Sequence, residues 1–199
     1  MVTEHLIDVP PLSAKAQAIA DKGNWRLSSD RQTGALLRTL AASKPGGRIL
    51  EIGAGVGVGA GWLLAGMDAA ARLTTLELFP GLAKACASVL AADDRAEVVR
   101  TDAVDWLTAY SGPPFDLVFV DTTILKFDRR DLVFAHLADG ALLIADDLLP
   151  QEKWTEAHYP RVERFREEIM AEPGLVPTLV DWASGILIAS YRKSEGGGR

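Results

Sequence analysis

The chain has 199 residues, 48% hydrophobic and 24% charged, with a formal net charge of −6. That length suits one domain with a real core rather than two domains. The acidic balance argues against a duplex nucleic acid as partner, because such binders present a basic face or a high isoelectric point, and the single cysteine, Cys86, excludes an intrachain disulfide and a cysteine-based zinc site.

The opening MVTEHLIDVPPL has no basic stretch followed by an apolar run, so it does not read as a signal peptide. The DVPPL run interrupts regular structure, and residues 1–24 are expected as an N-terminal arm, helix or lid. Ser29 followed by Gln32 fits a capping box and predicts a helix with Leu36, Leu37 and Leu40 on its apolar face, ended by KPGG. RILEI (48–52) reads as a buried strand, followed by a glycine-rich turn and a helix through GWLLAGM. RLTTLEL is the second strand. The next helix buries Leu82, Cys86, Val89 and Leu90.

AEVVRTD, FDLVFVD and GALLIADD read as the third, fourth and fifth strands, with helices over AVDWLTAY and RDLVFAHL between them. A long helix follows with Val162, Phe165, Ile169 and Met170 on one face. GLVPTLVDW and GILIASYR close the pattern as two consecutive strands, and SEGGGR (194–199) reads as a disordered tail. The two basic runs, FDRRDL and RVERFR, are interleaved with acids and read as solvated helix faces. No apolar stretch is long enough to span a bilayer. The expected setting is the cytoplasm, with neither nucleic acid nor membrane as a partner.

Alternating strands and helices with continuous apolar strands predict an α/β fold. It is a Rossmann-like, seven-stranded, mostly parallel sheet with helices on both faces and one antiparallel strand near the C-terminus. Ligands of such sheets bind beyond the carboxyl ends of the strands. There LEIGAGVGVGAG places Gly53, Gly55 and Gly57 directly after a buried strand, where glycine admits backbone bends and close ligand approach. A dinucleotide fingerprint, G-x-G-x-x-G/A, fails from Gly53, because Val58 takes the third position; from Gly55 it passes with Ala60, two residues late. Glu51 beside the turn would repel a pyrophosphate, so a nicotinamide-dependent oxidoreductase is the alternative rather than the lead.

Acids recur at the strand ends: Glu51, Glu77, Asp102, Asp121, and Asp146 with Asp147. One alone would be a helix cap or turn residue. A whole row makes a negative sheet edge suited to a ligand with amine, hydroxyl and sulfonium groups. Glu77 is placed for ribose hydroxyls.

These residues resemble the class I S-adenosylmethionine-dependent methyltransferases. LEIGAGVG is similar to their first motif, E/D-x-G-x-G-x-G, and LEL (76–78), TDAVDWL (101–107) and FDLVFVD (115–121) follow in the same order. Within that class the chain resembles most the catechol O-methyltransferase-like group, through SSDRQTGALLRTLAASKPGGRILEIG, GALLIADDLL and DWASGILIASYRK, over residues 25–193. The resemblance implies S-adenosylmethionine as cofactor and methyl transfer to a small-molecule hydroxyl, phenol-like or catechol-like. A non-catalytic module binding the same cofactor stands as an alternative, and a homodimer is the default assembly.

Carried over by position, Glu51, Gly53, Ala54, Gly55 and Gly57 line the methionine part of the cofactor and Glu77 its ribose, with Leu78, Asp102 and Ala103 beside the adenine. Asp121 sits near the methionine amine and the reaction centre. The resemblance also implies a divalent cation, Mg²⁺, on Asp121, Asp146 and Asp147, whose oxygens are hard ligands. The group often runs VDADK after the fourth strand, with the lysine as base. Here the segment is VDTTILKF, with Ile124 at that position and Lys126 two residues on. Lys126 is the candidate base, set against a solvated surface lysine. The group's Tyr-Ser pair in the glycine turn is replaced by Val58-Gly59. His158 reads as a surface or capping residue and Cys86 as structural. Trp106 reads as core, and Trp154 and Trp182 as either pocket border or packing.

Overall fold

The computed structural model describes residues 4–25, 27–151 and 154–193; the expected tail at 194–199 lies outside them. A sheet of seven strands runs in the order β3-β2-β1-β4-β5-β7-β6. Its strands are β1 (Arg48–Ile52), β2 (Arg72–Glu77), β3 (Ala96–Arg100), β4 (Phe115–Val120), β5 (Leu137–Ala145), β6 (Leu175–Val180) and β7 (Ile186–Tyr191). Strands β1 to β5 pair in parallel, and β7 runs antiparallel to both β5 and β6. Strand β5 starts three residues before the expected GALLIADD, and its register with β4 shifts between Phe115 and Leu117.

The helices are α1 (Pro11–Lys22), α2 (Arg31–Ala42), α3 (Val58–Gly66), α4 (Pro80–Leu90), α5 (Ala103–Ala109), α6 (Arg130–Phe134) and α7 (Tyr159–Met170). Period-two alternation splits each central strand between two cores. Ile49, Leu73, Leu117 and Phe119 face the layer of α1 to α4, while Leu50, Ile52, Val118 and Val120 face α5, α6 and α7.

Of the arm, helix or lid expected at the N-terminus, residues 11–22 form a docked helix. Pro11 occupies the first helical turn, where its missing N–H would be unpaired in any case, and Ala16 and Ala20 are fully buried as α1 packs on α3 and α4. Helix α2 is capped by Asp30 rather than Ser29: the Asp30 carboxylate accepts from the Thr33 backbone N–H at 2.8 Å. Helix α7 buries Val162, Phe165 and Ile169, but Met170 at its end is exposed. Among the described residues no helix is long and apolar enough to cross a membrane.

Candidate functional site

The carboxyl ends of the parallel strands open onto a cavity of about 790 Å³. Gly53, Gly55, Glu77, Leu78, Asp102, Ala103 and Asp121 line it, as do Lys126, Asp146 and Asp147. The sequence-expected residues therefore meet in one place, with three exceptions. Glu51, Ala54 and Gly57 are buried beneath the bend and are not among the residues that line the cavity.

The bend itself is tied to the sheet. The N–H groups of Gly53 and Ala54 both donate to the Leu76 carbonyl at 3.0 Å, and the Asp121 N–H donates to Ile52 at 2.9 Å. Gly53 has φ +102°, and a Cβ there would lie 2.6 Å from the Asp121 carbonyl oxygen. Glycine is therefore required at this contact between the β1 and β4 tips. Glu77, buried at the end of β2, uses both carboxylate oxygens as anchors: Oε2 accepts from Gly55 N–H and Oε1 from Phe79 N–H, each at 2.8 Å. Each oxygen keeps a lone pair for a ligand hydroxyl.

Glu51 lies on the same face of the sheet as Glu77, one strand over, but is fully buried under the bend. It shares the β1 face with Ile49, opposite Thr75 in register. Its Oε2 accepts from the Thr75 hydroxyl at 2.5 Å. Its Oε1 occupies the space a Cβ of Gly59 would fill, at 2.3 Å, so the departure from Tyr-Ser to Val58-Gly59 makes room for this carboxyl. Burial pushes the Glu51 carboxyl up to about 8; the Thr75 bond opposes that, and the charges of Glu77 and Asp146 add to it. Gly57 likewise packs on the Cys86 side chain of α4 and not on the cavity. Cys86 is fully buried, and burial raises its thiol, which fits a structural role.

On the far side of the bend stands an acidic cluster. One carboxylate oxygen each of Asp121, Asp146 and Asp147 lie within 4.8 Å of one another. Burial, then the neighbouring Asp146 charge, raises Asp121 well above the usual carboxylate range, while Lys126 pulls it down. Burial pushes Asp146 up to about 6 against the pull of Lys126. Asp147 holds a left-handed backbone, φ 57°, and its N–H donates to the Ser184 hydroxyl.

Lys126 is not the solvated surface lysine set out from the sequence. It is only 5% exposed, and its ammonium donates to the Asp146 carbonyl at 2.6 Å and lies 3.5 Å from Asp146 Oδ1. A π-helical segment, Ile124–Asp128, turns it inward. The extra residue per turn alters which side chains point down, and its register cannot be read from a motif.

Thr122 was not expected as a site residue. It lines the cavity beside Gly53, and its buried hydroxyl has no hydrogen-bond partner among the described residues. Phe127, Gln151, Trp154, Thr155 and His158 form the wall beyond Lys126, so Trp154 borders the cavity. Trp182 does not; Trp106 stacks on Tyr110 in the second core. Apart from Trp154, which the sequence offered as a pocket border, the residues of this wall carry no motif, because they come from irregular segments.

A methyltransferase domain family matches residues 50–148. The catechol O-methyltransferase of Mycobacterium tuberculosis is 37% identical over 153 residues, covering 72% of this chain and 68% of that protein. A putative O-methyltransferase of Mycobacterium avium is 38% identical over 170 residues, covering 78% and 75%. Among solved structures, the cofactor-bound Rv0187 protein from MTB matches with a TM-score of 0.83 at 27% identity, over 95% of this chain and 93% of that one. The O-methyltransferase from Bacillus cereus in complex with SAH shares the fold, with a TM-score of 0.81 at 23% identity, over 94% and 93%. These likenesses set aside both the nicotinamide reading and the non-catalytic one. Shared sequence and shared fold converge on one conclusion: the chain belongs to the class I S-adenosylmethionine-dependent methyltransferases, on their O-methyltransferase branch.

Proposed function

We propose that this enzyme methylates a hydroxyl of a small aromatic molecule, a phenol or catechol, at the cavity beyond the strand tips. The observation that carries this reading is the division of that cavity: a glycine bend with Glu77 at one end, aromatic walls at the other, and Asp121 with its acidic neighbours between.

The residues fit the cofactor. Thr122 offers a buried hydroxyl with no partner among the described residues, and the bend presents Gly53 and Gly55 where side chains would block the approach. Gly53, Gly55 and Thr122 hold the methionine end, with Asp121 facing its amine. Glu77 takes the ribose hydroxyls on its free lone pairs, and Leu78, Asp102 and Ala103 border the adenine. Glu51, Ala54 and Gly57 support the bend from behind. When bound, the cofactor supplies a methyl group made electrophilic by its sulfonium.

Asp121, Asp146 and Asp147 also fit a divalent cation, since they bring three hard oxygens together. They would hold Mg²⁺, which supplies a charge that lowers the pKa of an acceptor hydroxyl. Lys126 adds a second positive charge. Held on the Asp146 carbonyl, its ammonium steadies negative charge on the acceptor oxygen. The walls orient the acceptor for in-line attack with the reacting atoms about 3–3.5 Å apart.

Calorimetry with S-adenosylhomocysteine, followed by turnover on a panel of phenols and catechols with Mg²⁺ or EDTA, tests the reading. Wild type is expected to bind at micromolar concentration, and Glu77→Ala about 100-fold more weakly, because both the loop anchor and the ribose acceptor are lost. Catechols are expected to be methylated on oxygen, with EDTA suppressing the rate. Transfer to amines or carboxylates with aromatic hydroxyls untouched refutes it.

A further inference from the structure

His158 precedes α7 and lines the cavity at the acceptor end. Its ring sits edge-on to Trp154 at 4.7 Å and to Phe127 at 5.5 Å between centroids. As the sequence allowed, it occupies the N-cap position of α7, and it is half-buried rather than fully on the surface. It makes no side-chain cap bond, and among the described residues neither ring nitrogen has a hydrogen-bond partner. The charged groups that reach it are Arg161 on α7, Lys126 on the π-helical segment and Asp147 after β5. Burial first, then Arg161 and Lys126, hold the imidazole below its ordinary range; Asp147 pulls the other way. Arg161 is itself engaged with Asp128 and lies over the Phe127 ring at 5.2 Å.

A phenol keeps its proton at neutral pH, so oxygen attack needs a proton acceptor close by. Lys126 is poorly placed for that task, because its ammonium is spent on Asp146. The three carboxylates are committed to a cation under the proposed function. Of the other basic side chains lining the cavity among the described residues, His158 is the one with free ring nitrogens.

We propose that His158 is a catalytic residue that takes the hydroxyl proton of an aromatic acceptor held against Trp154 and Phe127. The O–H bond breaks with its proton going to an unprotonated ring nitrogen, and the oxygen forms the new C–O bond to the methyl carbon. The C–S bond breaks with its electron pair left on sulfur, and the imidazolium returns its proton to solvent. This rests on the O-methylation reading above and adds the group that makes a protonated hydroxyl usable.

The test compares wild type, His158→Gln and His158→Ala on two acceptors: an ordinary phenol, and a nitrophenol already ionised at the assay pH. For the ordinary phenol, kcat is expected to fall about 100-fold or more in both variants. KM and S-adenosylhomocysteine affinity stay within a few-fold, and the acidic limb of the wild-type kcat profile disappears. Added imidazole restores part of the rate in His158→Ala. For the nitrophenol the variants keep near-wild-type rates, because no proton has to leave. An equal loss on both acceptors overturns the proposal and makes His158 a packing residue, as does a loss of less than about threefold on the ordinary phenol. If wild type methylates neither acceptor while binding the cofactor, the acceptor reading fails and His158 falls with it.

Discussion

The buried carboxyl of Glu51 dictates how stability depends on pH. The group titrates near 8 when folded and near 4.5 when free. Between those values the folded chain holds a proton that the unfolded chain has released. Stability therefore falls as pH rises through this window and levels off above it. One proton of difference is worth about 1.4 kcal/mol per pH unit, or roughly 5 kcal/mol across the window as an upper bound. Asp121 and Asp146 are raised as well and tilt the curve the same way. Glu51→Gln keeps the shape and the bond to Thr75 but cannot ionise. Urea unfolding of both proteins at half-unit steps from pH 5.5 to 8 isolates the contribution. The variant's curve should be flatter by about 1.4 kcal/mol per pH unit, so it gains on wild type as pH rises. Two parallel curves refute the reasoning, because they mean that Glu51 ionises inside the fold without penalty.

Two further outcomes follow from the same geometry. Gly53→Ala puts a Cβ 2.6 Å from the Asp121 carbonyl, so the bend and the β4 tip move apart. Affinity for S-adenosylhomocysteine in calorimetry should drop at least about tenfold, equal to about 1.4 kcal/mol, while circular dichroism stays native. Lys126→Met leaves Asp146 buried without its partner ammonium, which should destabilise the protein by about 3–5 kcal/mol. With the ammonium gone, Mn²⁺ should bind about tenfold more tightly than to wild type and raise the midpoint of thermal unfolding. An unchanged Mn²⁺ affinity contradicts the placement of Lys126 beside the cation's carboxylates.

The sheet was legible because buried parallel strands have few ways to be written: RILEI, FDLVFV and ALLIA are apolar on both faces. The glycine bend and the acids at the strand tips were legible for a related reason, since their places follow once the strands are known. Helix α1 could not be told from an arm or lid because its buried face is built from small residues, Ser13, Ala16 and Ala20, that carry little hydropathy contrast. The direction of Glu51 depended on which side of β1 it occupied, and Thr75 opposite settles that. The surroundings of Lys126 and His158 were not legible because each depends on an irregular backbone, one π-helical and one at a helix entry. In neither does side-chain direction follow a repeating period.

The hairpin of β6 and β7 contributes none of the clustered acids, yet it holds one of them, Asp147, in place. Its connecting turn accepts the Asp147 N–H on Ser184 Oγ, and the N–H groups of Leu148 and Leu149 on the carbonyls of Gly185 and Ser184. Asp147 keeps its left-handed backbone in that clasp. Grafting this sheet edge from a relative with a turn of another length would therefore rotate the Asp147 carboxylate out of line while Asp121, Asp146 and Asp147 all kept their identities. An engineer wishing to retune cation preference has, in residues 181–185, a handle that acts on Asp147 through the backbone and reaches the cavity only at Ser184.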